Sequence, residues 1–162
     1  MLGLIRGRVW KFGDNVDTDV ITPSIYMDAP MEEIKKHVLE ALNPRFSEEV
    51  QQGDVIIAGK NFGCGSSRET APNAIQALGV AAVVAESFGR IFFRNAIAIG
   101  FPIITCSKVS EYFQEGEEAE LDISRAIVKN LIQNINLSGE VLPKDILDIL
   151  SAGGILSFLK LQ

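Results

Sequence analysis

The spacing of hydrophobic positions along the chain changes near residue 54, and this change predicts how the fold is organised. Before it, residues 4–12 alternate loosely between apolar and charged side chains, which indicates an opening strand. Residues 31–42 carry apolar side chains four positions apart, which predicts an amphipathic helix. After it, short apolar runs alternate with helical patterns, as is typical of parallel strands linked by helices.

The middle of the chain therefore predicts a strand–helix–strand–helix–strand unit. Its strands are expected at 54–58, 80–85 and 101–105, and its helices at 70–78 and 88–99. Such a βαβαβ unit places its three strands parallel to one another. The run at 80–85 is apolar throughout, so we expect it to be buried on both faces of the sheet.

Local signals predict how several elements begin or end. Thr70 is expected to cap the helix that it opens, and Asp28 to cap the helix at 31–42 or to interact with its positive end. Toward the C-terminus, residues 121–128 and 131–137 are expected to form two antiparallel strands joined by a tight turn near residues 129–130.

Length and composition restrict the class of protein. With 162 residues, the chain is expected to form one domain over 1–162. A net charge of −6 argues against a nucleic-acid or anionic-membrane partner. The sequence has neither a run of about 18 apolar residues nor a signal peptide, so a cytoplasmic location is expected. Two cysteines, Cys64 and Cys106, and one histidine, His37, are too few for a conventional iron–sulfur or zinc site, so we expect no metal in this chain.

The residues best suited to chemistry lie in segment 63–69, Gly-Cys-Gly-Ser-Ser-Arg-Glu, between a predicted strand and a predicted helix. A glycine-rich turn in this position presents backbone N–H groups to an anion. Arg68 adds a guanidinium whose geometry suits a carboxylate. The glycine spacing matches neither the P-loop nor the dinucleotide-binding pattern. The expected ligand is therefore a carboxylate.

Two interpretations of this segment stay open on the residues alone. Ser66 could act as a base if Arg68 and backbone N–H groups stabilise its alkoxide. Alternatively, Ser66 and Ser67 satisfy hydrogen bonds of the turn, while Arg68 pairs with Glu69 or Glu86.

Other polar candidates are less well supported by their surroundings. Segment 17–23, Asp-Thr-Asp-Val-Ile-Thr-Pro, lacks the glycine and the closing glutamate of a calcium loop, so its side chains are expected to cap a turn and stay solvated. A thiol enzyme based on Cys64 would need a nearby base, and His37 lies on a different predicted helix. We assign His37 no role.

Four segments, in this order along the chain, resemble the small subunits of 3-isopropylmalate dehydratases and their relatives in the aconitase superfamily. They are residues 17–23, 61–69, 85–95 and 152–155. The resemblance implies an α/β fold, the swivelling β/β/α three-layer domain, with the βαβαβ unit at its centre. It also implies a hydro-lyase of leucine biosynthesis that interconverts 2-isopropylmalate and 3-isopropylmalate. The partner is then a large subunit carrying a [4Fe–4S] cluster, in a heterodimer or heterotetramer.

The same resemblance assigns roles to individual residues. Ser66 matches the catalytic base, which takes a proton from carbon and returns it. Ser67 and Arg68 match the residues that bind a substrate carboxylate. Three further residues match those that line the same pocket: Thr18, Asp19 and Thr22.

The chain departs from the family pattern at two places. Thr70 stands where the family usually has histidine after Ser-Ser-Arg-Glu. The specificity loop, a Tyr-Leu-x-x segment in relatives, is here Tyr26, Met27, Asp28 and Ala29. Asp28 should repel the third carboxylate of homoaconitate, which favours isopropylmalate. Dimethylmalate, citramalate or homoaconitate remain alternatives, and a non-catalytic dicarboxylate-binding module is the alternative from another class.

Overall fold

A computed structural model describes residues 2–66 and 69–162 of the chain. The strands are β1 (Leu4–Lys11), β2 (Val55–Ala58), β3 (Ala82–Ala85), β4 (Ile103–Thr105), β5 (Glu118–Asp122), β6 (Ile127–Asn130) and β7 (Ile135–Ser138). The α-helices are α1 (Thr18–Ile21), α2 (Met31–Ile34), α3 (Phe46–Glu49), α4 (Thr70–Ala77), α5 (Arg90–Ala98), α6 (Lys144–Ala152) and α7 (Ile155–Lys160). Within these residues, no helix has the length and apolar character that crossing a membrane requires.

The strands form one seven-stranded sheet in the order β4-β3-β2-β1-β5-β6-β7. β1 connects the parallel half of the sheet, β2 to β4, with the antiparallel half, β5 to β7. Near its C-terminal end β1 pairs in parallel with β2, and along its N-terminal part it pairs antiparallel with β5. The β2–α4–β3–α5–β4 unit has the parallel strand pairing that the sequence predicts.

The core is concentrated on the parallel half of the sheet. All four residues of β2 and all four of β3 are buried, and for β3 this confirms the prediction of burial on both faces. Strands that are covered on both faces by other elements read as continuous apolar runs for this reason. Edge-on aromatic contacts add to the core on one side, where Trp10 and Phe12 both pack against Phe46.

The helix predicted at 31–42 is much shorter in the structure. α2 ends at Ile34, a 3₁₀ turn continues to His37, and Leu39 has a φ of +58°. The Leu39 N–H donates to the carbonyl of Ile21, and both Val38 and Leu39 are fully buried. The chain leaves the helix because a sharp turn buries two adjacent apolar side chains, whereas a continued helix would bury only one of them.

Three local predictions are also wrong. Lys129 and Asn130 lie inside β6, because the segment forms three antiparallel strands and the turns fall on either side of β6. Thr70 is the first residue of α4 and not its cap, since Glu69 precedes it with helical dihedrals. Asp28 does not cap α2, because Pro30 occupies that position and α2 has no side-chain cap; the alternative role of Asp28 at the positive end of the helix stays a prediction.

Asp54 ties β1 to the start of β2 through a buried carboxylate. It accepts hydrogen bonds of 2.9 Å from the Trp10 indole N–H and the Gln51 N–H. We expect Asp54→Ala to lower the free energy of unfolding by about 2–4 kcal/mol, because the buried Trp10 indole N–H loses its acceptor and the Gln51 N–H loses a second, partly buried hydrogen bond. Urea unfolding measures this loss. Glu111→Ala, which removes an exposed carboxylate, should change stability by less than about 0.5 kcal/mol; equal losses in the two variants would contradict the expectation.

Candidate active site

The candidate site begins where the chain leaves β2 and runs through residues 59–66 toward α4. Gly63 and Gly65 have φ values of +80° and +95°, which favour glycine because it has no Cβ. A Cβ at Gly63 would overlap the ring of Phe92 in α5. Glycine is therefore required at position 63 by the dihedral angle and by close packing, and favoured at position 65 by the dihedral angle.

Backbone hydrogen bonds join this loop to the segment before α1. The Gly63 N–H donates to the carbonyl of Val16 over 2.7 Å, and the Thr18 N–H donates to the carbonyl of Cys64 over 2.9 Å. The Thr18 hydroxyl then donates to the carbonyl of Ser66 over 2.8 Å. Two segments about 50 residues apart in sequence are thereby held side by side, and Ser66 is positioned at the end of their contact.

The loop is also joined to the third segment singled out from the sequence, residues 85–95. The Phe62 N–H donates to the carbonyl of Ser87, and the Gly89 N–H donates to the carbonyl of Phe62. The Ser87 hydroxyl accepts a 2.8 Å hydrogen bond from the Asn61 N–H. Sequence reasoning missed this structural role of Ser87, although the segment that contains it was part of the resemblance.

The acidic segment at α1 caps its own helix. Asp17 accepts from the Val20 N–H over 2.8 Å, as the sequence predicts for a capping residue. Asp19 is exposed and accepts from the Ser24 N–H over 3.0 Å. Thr18 is only 3% exposed, so the prediction that this whole segment stays solvated is wrong for it.

The predicted site residues differ in what their side chains contact. Ser66 is exposed, whereas Thr18 and Thr22 are buried and donate their hydroxyls to the carbonyls of Ser66 and Thr18. These two threonines therefore support the backbone of the candidate site through buried hydrogen bonds. Ser67 and Arg68 lie outside the described residues, so their carboxylate-binding roles stay predictions.

The alternative in which Arg68 pairs with Glu69 or Glu86 stays untested for the same reason. The Glu86 carboxylate accepts hydrogen bonds from the Lys108 N–H and the Ser110 hydroxyl. These contacts give Glu86 a structural role at the ends of β3 and β4.

The specificity loop begins at Tyr26, the last residue of the 3₁₀ turn Ser24–Tyr26. Asp28 is exposed and Met27 is 49% exposed, while Tyr26 and Ala29 pack partly against the core. The structure removes capping of α2 as a role for Asp28, so its action on a substrate stays a prediction.

The two thiols have different surroundings. Cys106 is buried, and burial, together with the negative charge of Glu86, raises the pKa of its thiol. Cys64 is partly exposed in the glycine loop. In the part of the chain that the structure describes, no three His, Cys, Asp or Glu side chains come together to hold a metal ion.

Comparisons with known proteins agree with this architecture. The family model of the aconitase C-terminal domain matches residues 17–108. The chain is 47% identical over 161 residues to the isopropylmalate/citramalate isomerase small subunit of Methanocaldococcus jannaschii, covering 99% of this chain and 96% of that protein. It is 49% identical over 157 residues to the 3-isopropylmalate dehydratase small subunit of Aquifex aeolicus, covering 96% of this chain and 94% of that protein.

A solved structure shows the same fold. The crystal structure of 3-isopropylmalate dehydratase from Methanocaldococcus jannaschii matches with a TM-score of 0.91 at 40% identity, covering 98% of this chain and 94% of that one. This confirms the fold class expected from the resemblance. The chain belongs to the aconitase C-terminal domain family and, within it, groups with the small subunits of 3-isopropylmalate dehydratases.

Proposed function

We propose that this chain is the small subunit of a cytoplasmic hydro-lyase that interconverts 2-isopropylmalate and 3-isopropylmalate in leucine biosynthesis. The observation that carries the proposal is the exposed Ser66, held through its carbonyl by the buried Thr18 hydroxyl. The high identity to named small subunits over nearly their full length supports the same reaction class.

Ser66 is the proposed base. In the dehydration, its alkoxide takes the proton from carbon, the C–H electron pair becomes the new double bond, and the hydroxyl on the adjacent carbon leaves as hydroxide with the electron pair of the C–O bond. Rehydration reverses these events with the hydroxyl and the proton exchanged between the two carbons, so atoms and charge balance. A serine alkoxide needs nearby donors and positive charge to form at neutral pH. Arg68 and the loop N–H groups are proposed to supply them.

An iron–sulfur cluster does not fit the donors of this chain. Its sequence has two cysteines, and one of them, Cys106, is buried with a raised pKa. We therefore propose that a [4Fe–4S] cluster belongs to a large partner subunit, where it would act as a Lewis acid on the leaving hydroxyl. The heteromer, whether a heterodimer or a heterotetramer, is then the active form.

The specificity loop favours a dicarboxylate with an apolar branch. Asp28 places an exposed negative charge on this loop, next to the apolar Met27. The charge opposes a third substrate carboxylate, as in homoaconitate. Citramalate is the second candidate substrate, because one relative at 47% identity is named for both isopropylmalate and citramalate.

Ser66→Ala tests the proposed base. In the reconstituted complex we expect kcat to fall by about two to four orders of magnitude, because general-base catalysis is lost. The complex should still assemble, as measured by size-exclusion chromatography. Ser151→Ala, at an exposed serine of α6, is the matched control and should keep wild-type kcat. Full activity of Ser66→Ala would show that this residue is not the base. In a separate measurement on the wild-type chain alone, tight binding of a dicarboxylate would favour the non-catalytic binding module.

Thr18→Val tests whether the buried hydroxyl positions Ser66. We expect kcat/KM to fall about 10- to 100-fold, because small displacements of a reacting group are costly. Thr18→Ser keeps the hydroxyl and should restore most of the activity, whereas Thr18→Val keeps the size of the side chain and removes the donor. If valine and serine variants turn over equally, the hydrogen bond to the Ser66 carbonyl does not position the base.

Asp28→Arg tests the specificity loop. Replacing an anion with a cation should raise kcat/KM for homoaconitate, relative to isopropylmalate, by about 10-fold or more. Steady-state kinetics on both substrates measure the ratio. Asp145→Arg makes the same charge change on α6 and should leave the ratio unchanged. An unchanged ratio in Asp28→Arg would show that the loop does not face the substrate.

A further inference from the structure

The ring of His37 is held between two carboxylates beside the specificity loop. Its Nε2 lies 3.0 Å from Glu33 Oε1, and its Nδ1 lies 2.8 Å from Glu40 Oε2. An ionised carboxylate only accepts hydrogen bonds, so a ring that donates to both must carry a proton on each nitrogen. The geometry therefore suits an imidazolium.

The face of this ring stacks on Tyr26, the first residue of the specificity loop. The two ring centroids are 3.7 Å apart and the ring planes differ by 7°. A cationic ring over an aromatic face is attracted by the quadrupole of the partner. Glu33 and Glu40 bind the two ring nitrogens and so fix the orientation of the imidazolium. The stacked ring of Tyr26 is held parallel to it.

The rest of the loop has few side-chain contacts of its own. Met27 and Asp28 are exposed, and Ile25, just before the loop, is 83% exposed. The loop is closed by a backbone hydrogen bond from the Ala29 N–H to the carbonyl of Tyr26. Since Tyr26 both begins this turn and carries the stacked ring, the position of Met27 and Asp28 depends on it.

We propose that His37 is a positioning residue: clamped by Glu33 and Glu40, its ring fixes Tyr26 and so holds the specificity loop against the substrate. This proposal rests on the proposed function, because it concerns how the same site selects its substrate. The side-chain contacts of His37 are with Glu33, Glu40 and Tyr26, and none of them involves Ser66. Loss of His37 should therefore weaken substrate binding and discrimination while leaving the proton transfer intact.

The charges around the ring determine the pH range of the clamp. Glu33 faces it from α2, Glu40 from the following turn and the Tyr26 ring from the loop, while Lys36 lies 3.7 Å from the Glu33 carboxylate. The hydrogen bonds to Glu33 and Glu40 raise the pKa of His37 above its ordinary 6.5, although burial opposes this. The hydrogen bond to His37 lowers the pKa of Glu33 below its ordinary 4.5.

The sign of the pH effect follows from these directions. Because the folded His37 has a raised pKa, its contribution to stability is complete below 6.5 and is lost as pH rises through the folded value. Because the folded Glu33 has a lowered pKa, its contribution is present above 4.5 and is lost as pH falls through its folded value. The His37–Glu33 pair therefore contributes most to stability in the weakly acidic pH range, where His37 is protonated and Glu33 is ionised.

An NMR titration of the untagged wild-type chain tests the clamp without any substrate. The sequence has one histidine and two tyrosines, so the imidazole signal is unique and Tyr112→Phe assigns Tyr26. We expect the imidazole to titrate above pH 6.5 and the Tyr26 ring signals to shift with the same midpoint. An imidazole that titrates at or below 6.5, or Tyr26 signals that ignore it, would overturn the clamp.

Kinetics of the reconstituted complex test its effect on specificity. In His37→Ala and Glu33→Gln we expect KM for isopropylmalate to rise about 3- to 10-fold with kcat within twofold of wild type. The preference in kcat/KM for isopropylmalate over citramalate should fall by a similar factor. Glu32→Gln is the matched control, because this carboxylate lies on the same helix but pairs with Lys35.

The outcomes separate the two proposals. Unchanged KM and substrate preference in His37→Ala, or a loss confined to kcat, would overturn the positioning role while wild-type activity keeps the proposed function. A wild-type complex without isomerase activity would overturn the proposed function, and the NMR titration would still decide whether His37 holds Tyr26. If His37→Ala fails to fold in thermal melts, Glu33→Gln and the titration supply the decision.

Discussion

The backbone of residues 61–66 is packed between two other backbone segments, and the site depends on how closely the three approach. A Cβ at Gly63 would overlap the Phe92 ring, and one at Gly89 would lie 2.6 Å from the Gly63 carbonyl oxygen. Real side chains do not fit these spaces, so any substitution forces the segments apart. The hydrogen bonds from the loop to residues 16–18 and 87–89 form only at this separation. Close approach of backbones thus fixes where Ser66 emerges.

The polar residues around this crossing divide into two groups by burial. Thr18 and Thr22 are 3% exposed and their hydroxyls are committed to backbone carbonyls, which is what burial requires of a polar group. Ser66 is exposed and contributes only its carbonyl to this network. The residues that support the loop are therefore different from Ser66, the proposed base. A buried network of this kind restricts the backbone of Ser66 without occupying its side chain.

The sequence predicts those parts of the structure in which local pattern and tertiary packing agree. β2 and β3 are apolar runs that are buried on both faces, and Gly63 and Gly65 lie where a strand–turn–helix pattern needs unusual dihedral angles. The helix at 31–42 fails because burial of Val38 and Leu39 overrides the helical period, so tertiary contacts decide.

The site itself could be predicted only in part from the residues. A glycine-rich turn with serines and an arginine indicates an anion-binding loop, whereas the catalytic assignment of Ser66 comes from the resemblance. The Thr18 hydrogen bond to the Ser66 carbonyl joins residues 48 positions apart, and the His37 stack on Tyr26 joins two elements across a turn. Neither pairing has a local spacing signature, so no periodicity in the sequence could reveal it.

Helix α1 is hydrogen-bonded both to the Ser66 loop and to the turn that leads into the proposed specificity loop. At α1, Thr18 bonds the carbonyl of Ser66, while the Asp19 carboxylate accepts from the N–H of Ser24, where the turn into the specificity loop begins. Two adjacent residues, Thr18 and Asp19, thus hold the backbone of the proposed base Ser66 and the turn before the proposed specificity loop. In the proposed reaction this shared anchor keeps the substrate carbon aligned with Ser66, because proton transfer tolerates little misplacement. The exposed side chains of Met27 and Asp28 lie outside these hydrogen bonds, so substrate preference can change there while the position of Ser66 is kept.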